Sequence, residues 1–523
     1  MRLVIVGSGP MALYVLKHLK ASPEPLAIEV LEASETAGAG MPYRADMNAD
    51  SMLCNAFSRE IPYATQPLID WLEKQPAREL SAWELSWHDL SARAFYPRVL
   101  IGEYLQSEFD ASCAALRAAG HEVNVRPGHR VEDIVPGASG FTVRARVGGE
   151  ERELRCDDVV IASGHVWPKA PEIDGVELVS PWPYTNITGL PASAIGVLGS
   201  SLSAIDVVVA LAEEHGAFTE EDEQMSWAPN AGAEGLRIRM VSLRGVMPEG
   251  DFYYPFPYEP LEHITDEAVL AEVAKGPAGL LERVFRLLLE ELDHADPSYL
   301  TELGQDARTI EGFADAYFAR RERLGGLRAV KRDLVETRRS MRERRTIPHR
   351  YALLRGHEAF DLALRHLSEE DFATFSTHLM PVFADCYAAV PHLSLARVVA
   401  LYDAGVLSLH TTASDSAFTQ LEGGRVQVAT TEGPLEVDHM VDARGQAPHG
   451  VAELRFPALV DALADSERPI EAPFRLALAS EVGGHVYCLA MPQLLQRHPF
   501  SQGLPGCDAM AEDVTADLLS RRG

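Results

Sequence analysis

The sequence is 523 residues long, with 46% hydrophobic and 24% charged residues, a composition typical of a globular protein with two or three domains. It contains 47 Lys and Arg and 77 Asp and Glu, so the net charge is −30. We therefore expect no nucleic acid partner, because phosphate backbones need a basic face. No apolar stretch is long enough to span a bilayer, and the N-terminus lacks the form of a signal peptide, so we expect no membrane association.

The cysteine spacing excludes two further classes of site. The six cysteines include no CxxC pair, so we expect neither a metal site nor a redox-active dithiol, which disfavours a disulfide reductase. Unpaired thiols indicate a reducing, cytoplasmic compartment.

The first predicted element is a β-turn-α-β unit at the N-terminus. Residues 3–6 and 27–31 read as buried strands, and residues 11–20 read as an amphipathic helix. The connecting turn has the pattern Gly-x-Gly-x-x-Ala and consists of Gly7, Ser8, Gly9, Pro10 and Met11, followed by Ala12. Gly7 permits the tight turn, Gly9 lets a pyrophosphate approach the backbone, and Glu32 after the second strand can bind an adenosine ribose. The pattern predicts dinucleotide binding; the alternative is a glycine-rich turn that has lost its ligand.

The stretch between residues 33 and 165 predicts loops, helices and a small meander. Glycines 38 and 40, followed by Met41, predict a loop close to a flat ligand, and Asn55 lies in a stretch whose alternative interpretation is a surface loop with a short helix. Residues 66–118 read as helices with core tryptophans, namely Trp71, Trp83 and Trp87. Strands around residues 123–125 and 141–146 predict the meander, and a buried strand at 158–162 ends in a turn with Gly164.

A second nucleotide unit is predicted from residue 194. A strand meets the turn Gly199-Ser200-Ser201-Leu202 and a helix that extends to about residue 214. Serine at 201 replaces the usual second glycine, so the backbone approaches phosphate less closely, although the hydroxyl adds a donor. The next strand ends in Arg244, where an NAD-specific fold would have an acid, so the sequence favours NADPH over NADH. The alternative is that Arg244 pairs with a nearby carboxylate such as Glu249 or Asp251.

Residues 251–392 predict a helical insertion or cap. It begins with an aromatic, proline-rich loop at 251–258, which we expect to cover the substrate pocket. An arginine-dense run at 320–345 predicts a solvated helix with i,i+4 ion pairs; the alternative is a basic lip that attracts an anion.

The α/β pattern returns after residue 394. A strand at 437–442 precedes Gly445, and another strand leads to the Gly503-Leu504 turn and a final helix from about residue 507. We predict an α/β fold with two Rossmann-like dinucleotide-binding domains of the three-layer β/β/α type and a large helical insertion. The predicted domains are 1–185 with 447–523 for FAD, 186–250 with 393–446 for NAD(P), and 251–392 for the insertion.

In their order along the chain, these motifs resemble the bacterial FAD/NAD(P)-binding domain proteins. They are distantly similar to the flavin-dependent N-hydroxylating monooxygenases, over roughly residues 1–250 and 394–523. The resemblance implies FAD bound by Gly7, Gly9, Met11 and Glu32, the Gly38–Tyr43 and Asn55 loops near the flavin, and the Gly503-Leu504 turn at its pyrimidine end. It implies a nicotinamide cofactor on residues 199–202. Ser201 departs from the common glycine, which bears on how tightly NADPH binds. The insertion has no counterpart in the simple monooxygenases, so their substrate residues cannot be carried over.

Three functions remain open at this point. The first is an NADPH-dependent flavin monooxygenase that uses O₂ on a small substrate, such as an amine. The second is a flavin-dependent dehydrogenase or oxidase with His165 or His498 as base, although each histidine also suits a structural role. The third is a non-catalytic FAD-binding protein. The sequence assigns no catalytic residue.

Overall fold

A computed structural model describes residues 1–167, 171–412, 418–480 and 482–521. The chain forms two compact units: unit 1 consists of Met1–Trp167 with Gln446–Gly523, and unit 2 of Pro168–Gly445. Within the described residues, no helix is both long and apolar enough to cross a membrane.

The N-terminal part of unit 1 contains a Rossmann-like β-α-β start, a group of helices and an antiparallel meander. Its strands and helices are β1 (Arg2–Val6), α1 (Pro10–Leu19), β2 (Ala27–Leu31), α2 (Leu68–Leu72), α3 (Ala77–Ala82), α4 (Arg98–Ala118), β3 (Glu122–Arg126), β4 (Arg130–Gly137), β5 (Gly140–Val147), β6 (Glu150–Cys156) and β7 (Asp158–Ile161), with 3₁₀ turns at Met41–Tyr43 and Ser58–Glu60.

Unit 2 contains a second parallel sheet, three small antiparallel sheets and a long series of helices. Its elements are β8 (Glu172–Ile173), β9 (Val176–Glu177), α5 (Thr185–Thr188), β10 (Ala194–Leu198), α6 (Leu202–His215), β11 (Gly216–Glu221), β12 (Gln224–Pro229), β13 (Arg237–Ser242), α7 (Asp266–Val273), α8 (Leu280–Ala295), α9 (Tyr299–Leu303), α10 (Ile310–Leu324), α11 (Gly326–Glu343), α12 (Pro348–Leu364), α13 (Glu369–His378), α14 (Met380–Tyr387), α15 (His392–Asp403), β14 (Leu407–Thr411), β15 (Phe418–Gln420), β16 (Val426–Thr430), β17 (Gly433–Val437) and β18 (His439–Asp442), with 3₁₀ turns at Gln305–Arg308 and Glu422–Gly424.

The chain then returns to unit 1. The returning elements are α16 (Pro457–Asp461), β19 (Val486–Cys488), α17 (Met491–Leu494) and α18 (Leu504–Ser520), with a 3₁₀ turn at Val451–Glu453.

The unit 1 sheet is parallel and has the strand order β19-β7-β1-β2-β3. Its central strand β1 is fully buried at Leu3, Val4 and Ile5, as expected for a strand covered on both faces. Helix α18 packs beside α1, where Asp508 accepts hydrogen bonds from Lys17 (2.6 Å) and contacts His18 (2.8 Å). The meander β4-β5-β6 supplies the antiparallel layer of this unit.

The unit 2 sheet is also parallel and has the order β14-β13-β10-β18. Helices α7 to α14 occupy the segment in which the sequence predicts an insertion. The predicted α/β fold, with two parallel nucleotide-type sheets and a large helical region, is confirmed. The division into three domains, with residues 251–392 as a separate cap, stays a prediction.

Two local expectations were wrong. Strand β3 does not belong to the meander: it pairs in parallel with β2 and lengthens the main sheet, and only Val123 of its five residues is buried, as suits a strand at a sheet edge. Trp87 is not a core residue, since it is 56% exposed, whereas Trp71 and Trp83 pack against the unit 1 core.

Candidate functional site

The predicted FAD-binding residues of unit 1 converge at the carboxyl edge of its parallel sheet. Val6 is in register with Leu31 and Ile161, and Ile161 is in register with Cys488. The next residue of each strand therefore emerges at the same edge, where ligands of open α/β sheets bind.

The glycine positions at this edge have little room for a Cβ atom. Gly7 has a φ of +101°, and a Cβ there would collide with the carbonyl oxygen of Ala162. A Cβ on Gly9 would lie 3.2 Å from the Cα of Gly40, and one on Gly40 would lie 3.0 Å from the Cα of Gly9. The turn and the Gly40 loop thus meet through their backbones, directly beside the first residue of α1, Pro10.

Glu32 is held at this edge by two serines. Its Oε2 accepts hydrogen bonds from the backbone N–H (3.1 Å) and hydroxyl (2.6 Å) of Ser8, and its Oε1 accepts the equivalent bonds from Ser34 (2.8 and 2.7 Å). The buried Ser8 hydroxyl also accepts the N–H of Gly38 (3.2 Å), which links the glycine turn to the following loop. Sequence reasoning missed Ser34, although a serine two residues after a carboxylate is a recognisable local hydrogen-bonding pattern.

The remaining unit 1 residues lie on the loops that follow and on the last part of the chain. Met41 begins a 3₁₀ turn, and its carbonyl accepts a hydrogen bond from Asn48 (2.9 Å). Asn55 is half-buried and follows Cys54, whose N–H donates to Tyr96 (3.0 Å). Gly164 follows β7, and its carbonyl accepts the N–H of Met491 (3.2 Å), which joins the last part of the chain to the sheet edge.

The Gly503-Leu504 turn is linked to the same region through a histidine. His165 hydrogen-bonds with Gln502, the residue before Gly503, and Gly503 is the N-cap of α18, whose first residue Leu504 is buried. Burial lowers the pKa of His165 to about 4, so its imidazole is neutral at neutral pH. A neutral ring can both donate and accept a hydrogen bond. His498, the other candidate base, contacts the carbonyl of Ile470 (3.1 Å) and packs on Phe474, which fits a structural role.

These residues fit a bound FAD. The N-terminus of α1 offers backbone N–H groups and a positive dipole end to a pyrophosphate. The side-chain-free contact between Gly9 and Gly40 permits close approach, and Glu32 supplies a carboxylate for ribose hydroxyls.

Unit 2 has a second strand-turn-helix arrangement of this kind, with serines at positions 200 and 201 of the turn. Gly199 has a φ of +123°, and its N–H donates to Val241 at the end of β13 (2.8 Å). The Ser200 hydroxyl donates to the carbonyl of Val246 (2.6 Å), so it stabilises the neighbouring loop. Ser201 is exposed and caps α6 without a side-chain capping bond, and α6 begins at Leu202. Gly445 lies three residues beyond β18, the other neighbour of β10, with open space around its Cα.

Arg244 lies two residues past the end of β13 and is bound by carboxylates from the helical region. Its Nη2 donates to Asp315 (2.6 Å), its Nη1 donates to Glu322 (3.0 Å), and its guanidinium lies 4.8 Å from the ring centre of Phe318. The suggested local partner Glu249 pairs instead with Arg350 (3.1 Å). Sequence reasoning missed Asp315 and Glu322, which are 71 and 78 residues away in the chain.

A buried ionic cluster follows the second nucleotide unit. Arg350 contacts Glu249 (3.1 Å) and Asp333 (3.0 Å) and donates to the carbonyl of Gly250 (2.7 Å). Arg321 binds Asp385 (2.8 Å) and donates to the Met247 carbonyl (3.1 Å), a second set of contacts that ties the loop after β13 to the helices.

Burial and charge shift the pKa values in this cluster. Burial raises the pKa of Asp333 to about 6 and also raises that of Asp385, whereas the nearby guanidinium of Arg350 helps to lower the pKa of Glu249 against the effect of burial. The contacts of the cluster are to other protein groups, so we assign it a structural role.

Two family models match the chain. Residues 4–166 match the FAD-NAD(P)-binding family, and residues 265–387 match the YdhS-like middle domain. The uncharacterized protein YdhS of Escherichia coli (strain K12) is 35% identical over 522 residues, covering 99% of this chain and 97% of that protein.

Solved structures share the fold at low sequence identity. The ornithine N-hydroxylase KtzI of Kutzneria sp. 744 has a TM-score of 0.50 and 14% identity, covering 100% of this chain and 99% of that one. The reduced form of the ornithine hydroxylase PvdA of Pseudomonas aeruginosa has a TM-score of 0.52 and 14% identity, with the same coverage. The resemblance to FAD/NAD(P)-binding proteins and, distantly, to N-hydroxylating monooxygenases is confirmed, as is the predicted class of cofactors. Sequence motifs did not identify the middle domain.

Proposed function

This chain belongs to the YdhS family, and we propose that it is an FAD-dependent NAD(P)H oxidoreductase, specifically an NADPH-dependent flavin monooxygenase that hydroxylates a small amine. The amine is suggested by the names of the ornithine hydroxylases that share the fold. The overall reaction would convert substrate, NADPH, O₂ and a proton into hydroxylated product, NADP⁺ and water.

The observation that carries the proposal is the presence of two nucleotide turns in one chain. Each turn follows an internal strand of a parallel sheet, has a glycine at positive φ, and leads directly into a helix. The first has Gly7 between β1 and α1, and the second has Gly199 between β10 and α6. A protein that only binds FAD needs one such turn, and the second turn supports a site for a nicotinamide cofactor.

The chain's own residues would have distinct roles. Gly7, Ser8, Gly9, Pro10 and Met11 would bind the FAD pyrophosphate, with Glu32 on the ribose. The residues expected around the rest of FAD are Gly40, Met41, Asn55, Gly164, Gly503 and Leu504. In unit 2, the nicotinamide cofactor is expected on Gly199, Ser200, Ser201, Leu202 and Arg244, and Gly445 is a further expected cofactor contact. Bound FAD supplies the hydride acceptor and the reactivity toward O₂. His165, neutral and held by Gln502, would offer a hydrogen bond without adding charge.

The state of the cysteines disfavours dithiol chemistry. All six are free and buried, and burial raises the pKa of Cys488 and of Cys507 to about 12. Thiols in this state are poor nucleophiles, since the thiolate is the reactive form.

The test begins with the purified full-length protein and its flavin absorbance. We expect NADPH to bleach the flavin in the absence of O₂. When O₂ is admitted with ornithine or another small primary amine, we expect a product heavier by one oxygen atom, detected by mass spectrometry.

Two results would overturn the proposal in different ways. Bleaching of the flavin by an amine without NADPH would identify a dehydrogenase or oxidase. Retention of FAD that no nicotinamide cofactor reduces would identify a non-catalytic FAD-binding protein.

A further inference from the structure

The end of strand β13 presents a cationic side chain beside the second nucleotide turn. Val241, the last residue but one of β13, accepts the N–H of Gly199 (2.8 Å), so Leu243 and Arg244 emerge at the edge where that turn lies. Leu243 is 72% exposed, and an exposed apolar side chain beside an arginine suits the adenosine end of a dinucleotide. Leu243 is available to a ligand without rearrangement, whereas the Arg244 guanidinium is not.

The guanidinium of Arg244 is already bound by the protein. Asp315, Phe318 and Glu322 lie three and four residues apart on α10 and therefore share one face of the helix, which covers Arg244. Each carboxylate accepts from one of the two terminal nitrogens, so a phosphate that made a two-point contact through these nitrogens would compete with both carboxylates. With one guanidinium between two carboxylates, the local charge is −1.

We propose that Asp315 and Glu322 occupy the place of the 2′-phosphate of NADPH on Arg244, so that α10 sets the affinity for 2′-phosphorylated adenosine nucleotides. The inference rests on the proposed function, because it takes the turn at residues 199–202 as the nicotinamide-cofactor site. A 2′-phosphate must compete with these carboxylates for Arg244, whereas NADH binds without doing so.

The displacement is physically accessible. The Asp315 side chain is 76% exposed, and exposed ion pairs are weak, so it can leave Arg244 at little cost. Glu322 is 35% exposed and remains as the more persistent partner. Removing both charges changes the local charge from −1 to +1, and we expect this to tighten binding of a 2′-phosphate about tenfold.

Helix α10 has a separate anchor, so the variants should fold. Arg321 on the same helix binds Asp385 (2.8 Å) and the carbonyl of Met247 (3.1 Å), and neither contact involves Arg244. The two changed side chains are near the surface, where substitutions usually have small effects on stability.

The experiment compares two small nucleotides, 2′,5′-ADP and 5′-AMP, by isothermal titration calorimetry on the full chain. These probes differ by the 2′-phosphate and require no flavin turnover. In D315N/E322Q we expect about tenfold tighter binding of 2′,5′-ADP and less than about a twofold change for 5′-AMP. Adding R244A to this variant should abolish the gain.

The matched control is E302Q/E311Q, which removes two exposed carboxylates from α9 and α10 and gives the same change in net charge. An equal gain in the control, an equal gain for both nucleotides, no gain in D315N/E322Q, or no 2′,5′-ADP binding in any variant would overturn the inference. The proposed function is judged separately by flavin reduction: if NADPH reduces wild type but the variant binds 2′,5′-ADP no more tightly, only this inference fails. If the gain occurs but NADPH leaves the flavin oxidised, only the proposed function fails.

Discussion

At the scale of single residues, the candidate FAD site depends on a contact between two glycines. Gly9 and Gly40 approach so closely that a Cβ on either would lie within 3.2 Å of the other's Cα. Sequence pattern alone predicts Gly9 from the pyrophosphate it would bind, but the second constraint, from the neighbouring loop, is visible only in the folded chain.

We predict that Gly9→Val weakens FAD binding about 10- to 100-fold, because the branched side chain enters both the pyrophosphate path and the Gly40 contact. Flavin content and FAD affinity of the refolded apoprotein provide the measurement. Gly137→Val is the control, since a Cβ at Gly137 on β4 meets its nearest atom at an ordinary 3.5 Å. Equal FAD affinity in the two variants would remove Gly9 from the site.

Asp333 gives a residue-scale prediction about pH. Burial raises its pKa from the ordinary 3.8 to about 6, so the folded protein binds a proton that the unfolded chain releases between these values. The Asp333 contribution to the free energy of unfolding therefore falls as pH rises through this window, and it is about 1 kcal/mol larger at about pH 5 than at about pH 7.

Asp333→Asn should remove this contribution. Urea unfolding of wild type and variant at the two pH values tests it: the difference in unfolding free energy between about pH 5 and about pH 7 should be about 1 kcal/mol smaller in the variant. The same pH dependence in both proteins would show that another group of the cluster takes up the proton.

At the scale of elements, the aromatic loop after β13 packs into its own unit. The sequence predicts a pocket cover here, whereas the structure buries Tyr254 with its ring centre 5.4 Å from Phe252, 5.9 Å from Tyr258 and 6.3 Å from Tyr351 of α12. Tyr253 is half-buried, and its backbone N–H donates to the Ser340 hydroxyl (2.9 Å).

We therefore expect Tyr254→Ala to lower the free energy of unfolding by about 3–5 kcal/mol, because it leaves a cavity among the rings. Tyr253→Ala, the matched control, should cost less than half as much. Chemical denaturation of both variants measures the difference. Should Tyr254→Ala be nearly neutral while peroxide release per NADPH rises, the loop would act as the pocket cover after all.

Elements with strong periodicity could be predicted from sequence, and elements defined by distant partners could not. The two β-turn-α units are local, so residues 1–32 and 194–214 predict them within a residue or two. Strand β3 was assigned to the wrong sheet because its partner β2 lies far away in sequence. Likewise, the sequence shows a cation after β13 at Arg244. Its partners Asp315 and Glu322 could not be predicted, because their contact with Arg244 depends on the packing of α10 in the folded chain.

At the scale of the whole molecule, the net charge of −30 opposes the approach of an anionic cofactor. We predict that the rate constant for NADPH association increases about 2- to 10-fold as salt rises from low to physiological concentration, because screening weakens the repulsion. Stopped-flow mixing at several salt concentrations measures it, with uncharged substrate analogues as control. A rate that falls with salt would show that the arginine-dense run at 320–345 dominates the local field.

The discontinuity of unit 1 has a consequence for biosynthesis. Strand β19, which pairs with β7, and helix α18, which packs on α1, are translated only after the whole of unit 2. A nascent chain that has emerged as far as β7 therefore carries an unpaired sheet edge and an uncovered helix face while the ribosome makes the intervening residues. Such edges promote aggregation, so we expect this protein to depend on chaperones during translation and to acquire FAD only once β19 and α18 have emerged.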